Sequence, residues 1–357
     1  MNITFLIGNG FDLRLGLKTR YTDMYDGYIN ESTNSTAIME FKQALKNDMP
    51  KFKTWGDFEI AMGKYAQNFR NAQDFIACVR DFRAYMVRYL KKEQDIFDDV
   101  FEKLGGLKSQ VLEEFDLSLN DFYKTHTPNV VSSIRYLIDT KGKSLKYNFI
   151  SFNYTQTFDH ILSEFISTFY KGNDKYYFDV IHVHGELKKD IVLGVDNDHQ
   201  IKSKYFEINK QIQRAFIKPK FNEMFDKSRI NYASNVISNS DVICVYGLSM
   251  GKSDMMWTEK IISWLKASGN HHLFYFAHGT NVYDAWNQDE WLDEEDDIKT
   301  NLLNRICQSQ EDFDSVYDRV HIPIGKDIFD MNAINVNIKK MDMKKRLDKL
   351  SDKLVTA

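Results

Sequence analysis

Four clusters of small and polar residues in this 357-residue chain have the types and spacing that chemistry needs. The first is Gly8-Asn9-Gly10-Phe11-Asp12-Leu13. Paired glycines let a backbone turn tightly and approach a pyrophosphate, which the N-terminus of a following helix attracts. The dinucleotide fingerprint is only partly matched, because Leu13 holds the third glycine position and no acidic residue closes a second strand ~20 residues on. Taken alone, this Gly-x-Gly serves equally as a structural turn. The second cluster is Phe152-Asn153-Tyr154-Thr155. Its Asn can hold a ribose hydroxyl or a water, and Asn153 or Thr155 can equally cap a following helix.

The third cluster is His182-Val183-His184-Gly185-Glu186. Strand alternation places both histidines on one face, with Gly185 leaving room beside His184. A histidine of reference pKa ~6.5 exchanges a proton at cellular pH, which suits a general base. His184 is the functional candidate, and His182, deeper in the strand, reads as a hydrogen-bonded core residue. His-x-His is also half of a metal site, but no third and fourth ligand stand nearby, so no metal is expected. Metal-dependent phosphoester hydrolysis through His182, His184 and Glu186 ranks well behind. The fourth cluster runs from Tyr246-Gly247-Leu248-Ser249 through Met250-Gly251-Lys252-Ser253-Asp254. Ser249, Ser253 and Asp254 are candidate ligand contacts, and Asp254 is equally placed to cap a helix. Gly247 stands one position too close to Gly251-Lys252-Ser253 for a P-loop.

The elements around these clusters give them a common place. Ile3 to Ile7 is an apolar run that stops at Gly8, as a buried parallel strand does. Residues 22–144 read mostly as helix, including Glu40 to Asn47, Trp55 to Phe69 and Asp74 to Leu90. Strand and helix then alternate. Strands are expected at Tyr147–Phe152, Tyr177–His184, Asp241–Tyr246, His272–Ala277 and Arg319–Ile322. Helices are expected at Phe158–Phe169, Lys204–Ile237, Asp254–Ala267 and Lys299–Cys307. Such alternation predicts an α/β fold, a Rossmann-like parallel sheet with a large helical insertion after the first strand. The expected division is an α/β domain of residues 1–21 and 145–330, a helical insertion of 22–144, and a C-terminal amphipathic helix of 331–357 striped by Met343, Leu347, Leu350 and Leu354. In open α/β sheets ligands bind beyond the carboxyl ends of the strands, and all four clusters fall there.

Composition narrows the class. Apolar residues make up 43%, and 47 basic against 51 acidic side chains leave a net charge of −4 without a basic face, so nucleic acid is not an expected partner. Asp289 to Asp297 reads as the wet side of a helix. Cys78, Cys244 and Cys307 form no CxxC pair and predict neither a disulfide framework nor a zinc knuckle. No apolar run is long enough for a bilayer span or a signal peptide, so a cytoplasmic protein is expected.

The run from Leu6 through Gly8-Asn9-Gly10-Phe11-Asp12-Leu13 to Gly16-Leu17-Lys18-Thr19 resembles the opening of the bacteriophage abortive-infection family AbiH. Trp55-Gly56-Asp57-Phe58-Glu59, Phe152-Asn153-Tyr154-Thr155, His184-Gly185 and Tyr246-Gly247-Leu248-Ser249 continue the resemblance in order. It implies a bacterial, cytoplasmic, antiphage protein. More distantly, the order Gly-x-Gly, Asn, His-Gly, Gly-x-Ser is similar to the sirtuin-like NAD⁺-binding domains of phage-defence proteins, in which an Asn and a His hydrolyse NAD⁺. That resemblance implies Asn153 and His184 as the catalytic pair, Gly8 and Gly10 as the phosphate loop, and Gly247 with Ser249 as the late loop that closes over the dinucleotide. In the mechanism it suggests, Asp12 is placed to steady the developing cation, and Asn9, Phe11 and Asp254 join the expected nucleotide contacts. The zinc-binding cysteine quartet of deacylating sirtuins is absent, which favours hydrolysis of NAD⁺ over deacylation. The rival reading is a non-catalytic nucleotide-binding sensor or assembly module that recognises phage components. The implied partners are NAD⁺ or a related nucleotide such as NADP⁺, a phage-encoded trigger protein and further copies of the chain. Trp55, Asp57 and Glu59 are either a lid over the site or a clamp between helices, the clamp being favoured for Trp55.

Overall fold

A computed structural model describes residues 1–357 apart from 49–54, 125, 142–144, 171–178, 204–205, 207, 285, 326 and 356–357, and it describes no side chain at 48, 55–57 or 345–355. Six strands form one all-parallel sheet: β1 (Asn2–Ile7), β2 (Lys146–Ser151), β3 (Val180–His182), β4 (Val242–Tyr246), β5 (His272–Phe276) and β6 (Val320–His321). The strand order is β3-β2-β1-β4-β5-β6. β1 lies at the centre between β2 and β4, which is why its sequence is apolar almost without interruption.

Alternation along β1 divides its side chains between two cores. Ile3, Phe5 and Ile7 join an aromatic core on one face, and Leu6 joins an aliphatic core on the other. Between β1 and β2 every described element is helical: α1 (Gly10–Arg14), α2 (Tyr21–Asn30), α3 (Thr36–Asp48), α4 (Trp55–Tyr65), α5 (Ala72–Glu102), α6 (Leu107–Asn120) and α7 (Pro128–Lys141). These helices contribute to two cores. The end of α5, with α6, α7 and α8 (Thr157–Phe169), covers the aromatic face of the sheet. α2, α3, α4 and the start of α5 build a third core with Ile191, Leu193, Val195 and Ile217, against which Tyr154 and Leu187 pack. The 31-residue α5 runs through both cores and spans ~46 Å at 1.5 Å per residue.

The stretch expected as one helix over Lys204–Ile237 is broken into α9 (Lys210–Phe216), α10 (Lys218–Phe225) and α11 (Lys227–Ser238). Pro219 starts α10, and the Asp226 side chain accepts from the Arg229 amide to cap α11. With α12 (Met255–Ala267) and α13 (Gln288–Ile306), α11 covers the aliphatic face of the sheet. The acidic run sits on α13 as expected, but Glu295 turns inward and is buried. α14 (Gln310–Val316) leads towards β6, and α15 (Asn332–Val355) closes the chain. α15 packs on the aromatic core through Ile334 and Ile338, whereas Met343 is exposed and the rest of its expected stripe lies outside the described side chains. β3 is shorter than expected, and positions 177–178 lie outside the described residues. Among the described residues no helix is long and apolar enough to cross a membrane.

Candidate functional site

The order of strands reverses between β1 and β4, and a cavity of about 550 Å³ opens beyond their carboxyl ends. That is the size of a small-molecule site, in the crevice where open α/β sheets bind ligands. Its walls take Gly10 and Asp12 from the first cluster, Asn153 from the second, His184 from the third, and Gly247, Ser249 and Asp254 from the fourth. Side chains separated by hundreds of residues therefore meet at one place.

The glycines meet each other first. Gly8 N–H donates to Tyr246 O, and Gly10 N–H donates to Gly247 O, both at 2.8 Å. A Cβ on Gly8 would lie 2.5 Å from Gly247 O, one on Gly10 2.4 Å from Gly247 Cα, and one on Gly247 2.6 Å from Gly10 Cα. Gly247 also has φ +66, where side chains are strained. The two loops thus cross in backbone contact, and the missing side chains are used for that crossing. Gly10 and Gly247 still line the cavity, but Gly8 does not. Nor does Phe11, which is buried among Phe158, Phe329 and Tyr246 in the aromatic core. Asn9 lines the cavity with its carboxamide engaged, Oδ1 accepting from the Thr19 hydroxyl and Nδ2 donating to Thr19 O.

Asp12 is buried and accepts from the Thr155 hydroxyl at 2.6 Å and the Thr157 hydroxyl at 2.5 Å. Burial outweighs those two bonds and pushes its carboxyl up to about 6. Asp12 therefore fastens the start of α8 as well as facing the cavity. Thr155 bonds to Asp12 and caps nothing, and Asn153 does not cap α8 either. Asn153 is only 5% exposed, yet neither Oδ1 nor Nδ2 has a hydrogen-bond partner. Buried carboxamides are nearly always satisfied, so this one holds bonding capacity in reserve at the cavity wall.

The two histidines do not share a face, because β3 ends at His182 and the chain turns at Gly185, whose φ is +79. His182 Nδ1 donates to Asn153 O at 2.9 Å, and Nε2 donates to Asp159 of α8 at 3.0 Å. Burial opposes charge on this ring, but Asp159 and the Asn153 carbonyl outweigh it and raise its proton affinity. His182 thus holds the Asn153 backbone in place. His184 points instead to the segment before α12, where its Nε2 lies 2.9 Å from Asp254 Oδ1. The contact lacks hydrogen-bond geometry, so Nε2 has no hydrogen-bond partner.

Asp254 occupies the N-cap position of α12 but makes no capping bond. Its Oδ1 accepts from Lys218 Nζ at 3.0 Å, and Lys218 in turn reaches Glu59 Oε2 at 2.8 Å. Burial would raise the Asp254 carboxyl, but Lys218 and His184 outweigh it and hold it well below the usual range. For Glu59 burial prevails and its proton affinity rises. Burial alone would lower Lys218, and its two carboxylate partners raise it instead. Ser249 is exposed at the cavity wall.

Metal-competent residues cluster elsewhere. Among the described residues the group is His126, Glu295 and His321, not His182, His184 and Glu186. Its Glu295 Oε1 already receives His126 Nε2 at 3.1 Å, Lys299 Nζ at 3.3 Å and the Ile322 amide at 3.4 Å. Those donors fill the oxygen that a cation would need, and the Lys299 ammonium repels one.

The profile of the family described as Bacteriophage abortive infection AbiH matches residues 4–276, from within β1 to the last residue of β5. The chain belongs to the AbiH family. This membership supports a role in phage abortive infection. No curated protein matches the sequence. The AbiH match takes in every wall residue named above, including two that sequence reasoning left out of the site. Lys218 stands in a Lys-rich helical stretch with nothing nearby in sequence to mark it, and Glu59 was read only as a lid or a clamp. In this AbiH protein a buried lysine with two carboxylate partners was invisible locally, because the three belong to segments 36 to 195 positions apart, the separations of Lys218 from Asp254 and of Glu59 from Asp254. The side chains of Trp55 and Asp57 lie outside the described residues.

Proposed function

We propose that the cavity binds NAD⁺ or a closely related nucleotide and hydrolyses its nicotinamide–ribose bond as part of an abortive-infection response. The observation that carries this reading is the unsatisfied carboxamide of Asn153 beside the His184–Asp254 pair. The strand order, which is that of the dinucleotide-binding fold, supports it. So does the 550 Å³ crevice at the switch point.

Cleavage of the C1′–N1 bond sends its electron pair to the ring nitrogen, and neutral nicotinamide leaves. The ribose is left with oxocarbenium character, which a water oxygen quenches by bonding to C1′. Asn153 orients the ribose or that water through its free Oδ1 and Nδ2. With Nε2 turned towards Asp254, Nδ1 of His184 is the nitrogen left to take the water's proton. The depressed proton affinity of Asp254 keeps it anionic, so it steadies the imidazolium that results and adds negative charge near the cationic sugar.

The second reading, a module that binds a nucleotide without destroying it, draws on the glycine loop. Gly8 is used against Gly247, which narrows the cradle a pyrophosphate would occupy. Loss of NAD⁺ and release of nicotinamide, followed with purified protein and with lysate from phage-infected cells, separate the two. The hydrolase reading expects turnover that falls by about 10²–10⁴-fold in His184→Ala. Tight NAD⁺ binding with no turnover in any condition selects the second reading, and neither binding nor turnover removes both.

A further inference from the structure

The base does not stand alone. His184, Asp254, Lys218 and Glu59 form a buried chain in which each neighbour lies within 3.0 Å of the next. All three Lys218 donors are used, the third on Ser253 O at 3.3 Å. The far oxygen of Glu59 accepts the Gly194 amide at 3.1 Å, so both ends of that carboxylate are fixed. With both carboxylates ionised, two negative charges against one ammonium leave one in surplus. The groups facing the chain do not cancel it. Tyr154 is neutral and donates to Val192 O, and Asp196, on the other side, is occupied by the Met256 amide. Arg83 lies beyond Tyr154 and donates to Ala215 O. Phe152 presents its ring edge-to-face to His184 with centroids 5.3 Å apart. Within the chain, the groups that can take up a balancing proton are Glu59, whose proton affinity burial raises, and the His184 imidazole, the ring that lines the cavity with Asn153.

We propose that Lys218 and Glu59 are positioning residues that act on His184 through Asp254, so that α4 of the helical layer sets the proton affinity of the base. The inference rests on His184 being the base of the proposed reaction, but its test needs no substrate. The measurement is the titration of the His184 imidazole, followed by NMR in the full chain labelled at histidine.

Three substitutions push that midpoint in defined directions. Asp254→Asn removes the adjacent anion and lowers it by about one pH unit or more. Glu59→Gln removes the surplus charge at greater distance and lowers it by about half a unit. Lys218→Met leaves Asp254 without its cation and raises the midpoint by about half a unit. If Lys218→Met fails to fold, Lys218→Arg keeps the charge and is expected to hold the midpoint within about 0.2 units of wild type, leaving the Glu59→Gln shift to decide.

A purely structural chain gives a different result. Glu59→Gln and Lys218→Met would then lower Tm while leaving the His184 midpoint unmoved, or move it in the same direction, and either outcome overturns the proposal. Ordered shifts together with a wild-type protein inert towards NAD⁺ would retire the hydrolase and leave the coupling standing. In an active enzyme the acidic limb of the pH–rate profile follows the same shifts.

Discussion

Two buried histidine clusters in this molecule differ in one respect, and the difference separates scaffold from site. Around Glu295, three donors converge on one oxygen, and His321 Nε2 and His272 Nδ1 bond each other at 2.9 Å. Burial keeps both of those rings short of protons, His272 down to about 4. Every group there answers another, and the result is a polar bolt between α13, β5, β6 and the loop before α7. At the crevice the accounting does not close. Asn153 has two idle polar atoms, and His184 Nε2 has a neighbour but no hydrogen bond. Such open polar groups at a cavity wall are what a ligand or water can use.

The sharpest way to break this contrast is to exchange the expected phenotypes. Glu295→Ala strands His126 and Lys299 and is expected to cost about 3–5 kcal/mol of stability, read as a fall in the denaturant midpoint, with NAD⁺ turnover per folded molecule unchanged. His184→Ala is expected to do the reverse. A stable Glu295→Ala protein with lost turnover would put the chemistry at the wrong cluster.

A smaller effect belongs to Asp12. Its folded pKa of about 6 lies above the ordinary 3.8, so the native state holds its proton more tightly than the unfolded chain. Stability from this group is full below about pH 4 and is lost as pH rises through about 6, an effect on the order of 3 kcal/mol. Chemical denaturation of wild type and Asp12→Asn across that window should show the wild-type decline and its absence in the variant. Parallel curves would mean that Asp12 is ionised throughout.

The smallest stability effect is the most telling. Asn153→Ala removes a carboxamide that nothing satisfies, so stability is expected to stay within about 1 kcal/mol of wild type or to rise. Turnover in the same variant is expected to fall by about a hundredfold. A marked loss of Tm would show that the carboxamide has partners after all.

The same contrast explains what could be read in advance. β1 and the turn at Gly8 announce themselves because a strand buried on both faces has no polar position to spare. Asn153 and His184 were legible as cavity-wall candidates because each stands two residues beyond the end of a strand. Their relation was not. His182 and His184 looked like a pair on one face, but β3 stops at His182 and Gly185 sends them to helices on opposite faces of the sheet. Phe11 sits inside a glycine motif and belongs to the core, a distinction that only packing makes. Asp254 read as a ligand contact or a cap, and its real partners, Lys218 and His184, are set by tertiary approach. Local pattern gives strand ends, whereas partners brought from distant segments leave no local trace.

The crossing of the two glycine loops has a mechanical consequence. Gly8, Gly10 and Gly247 touch through backbone alone, so no rotamer change can separate them and the floor of the crevice has no side chain to swing aside. Any widening that admits a bulky ligand must come from the walls that carry side chains, Glu59 of α4 among them. A shift of that one helix would also carry Glu59 away from Lys218, so a change in cavity shape there is tied to a change in its charge network.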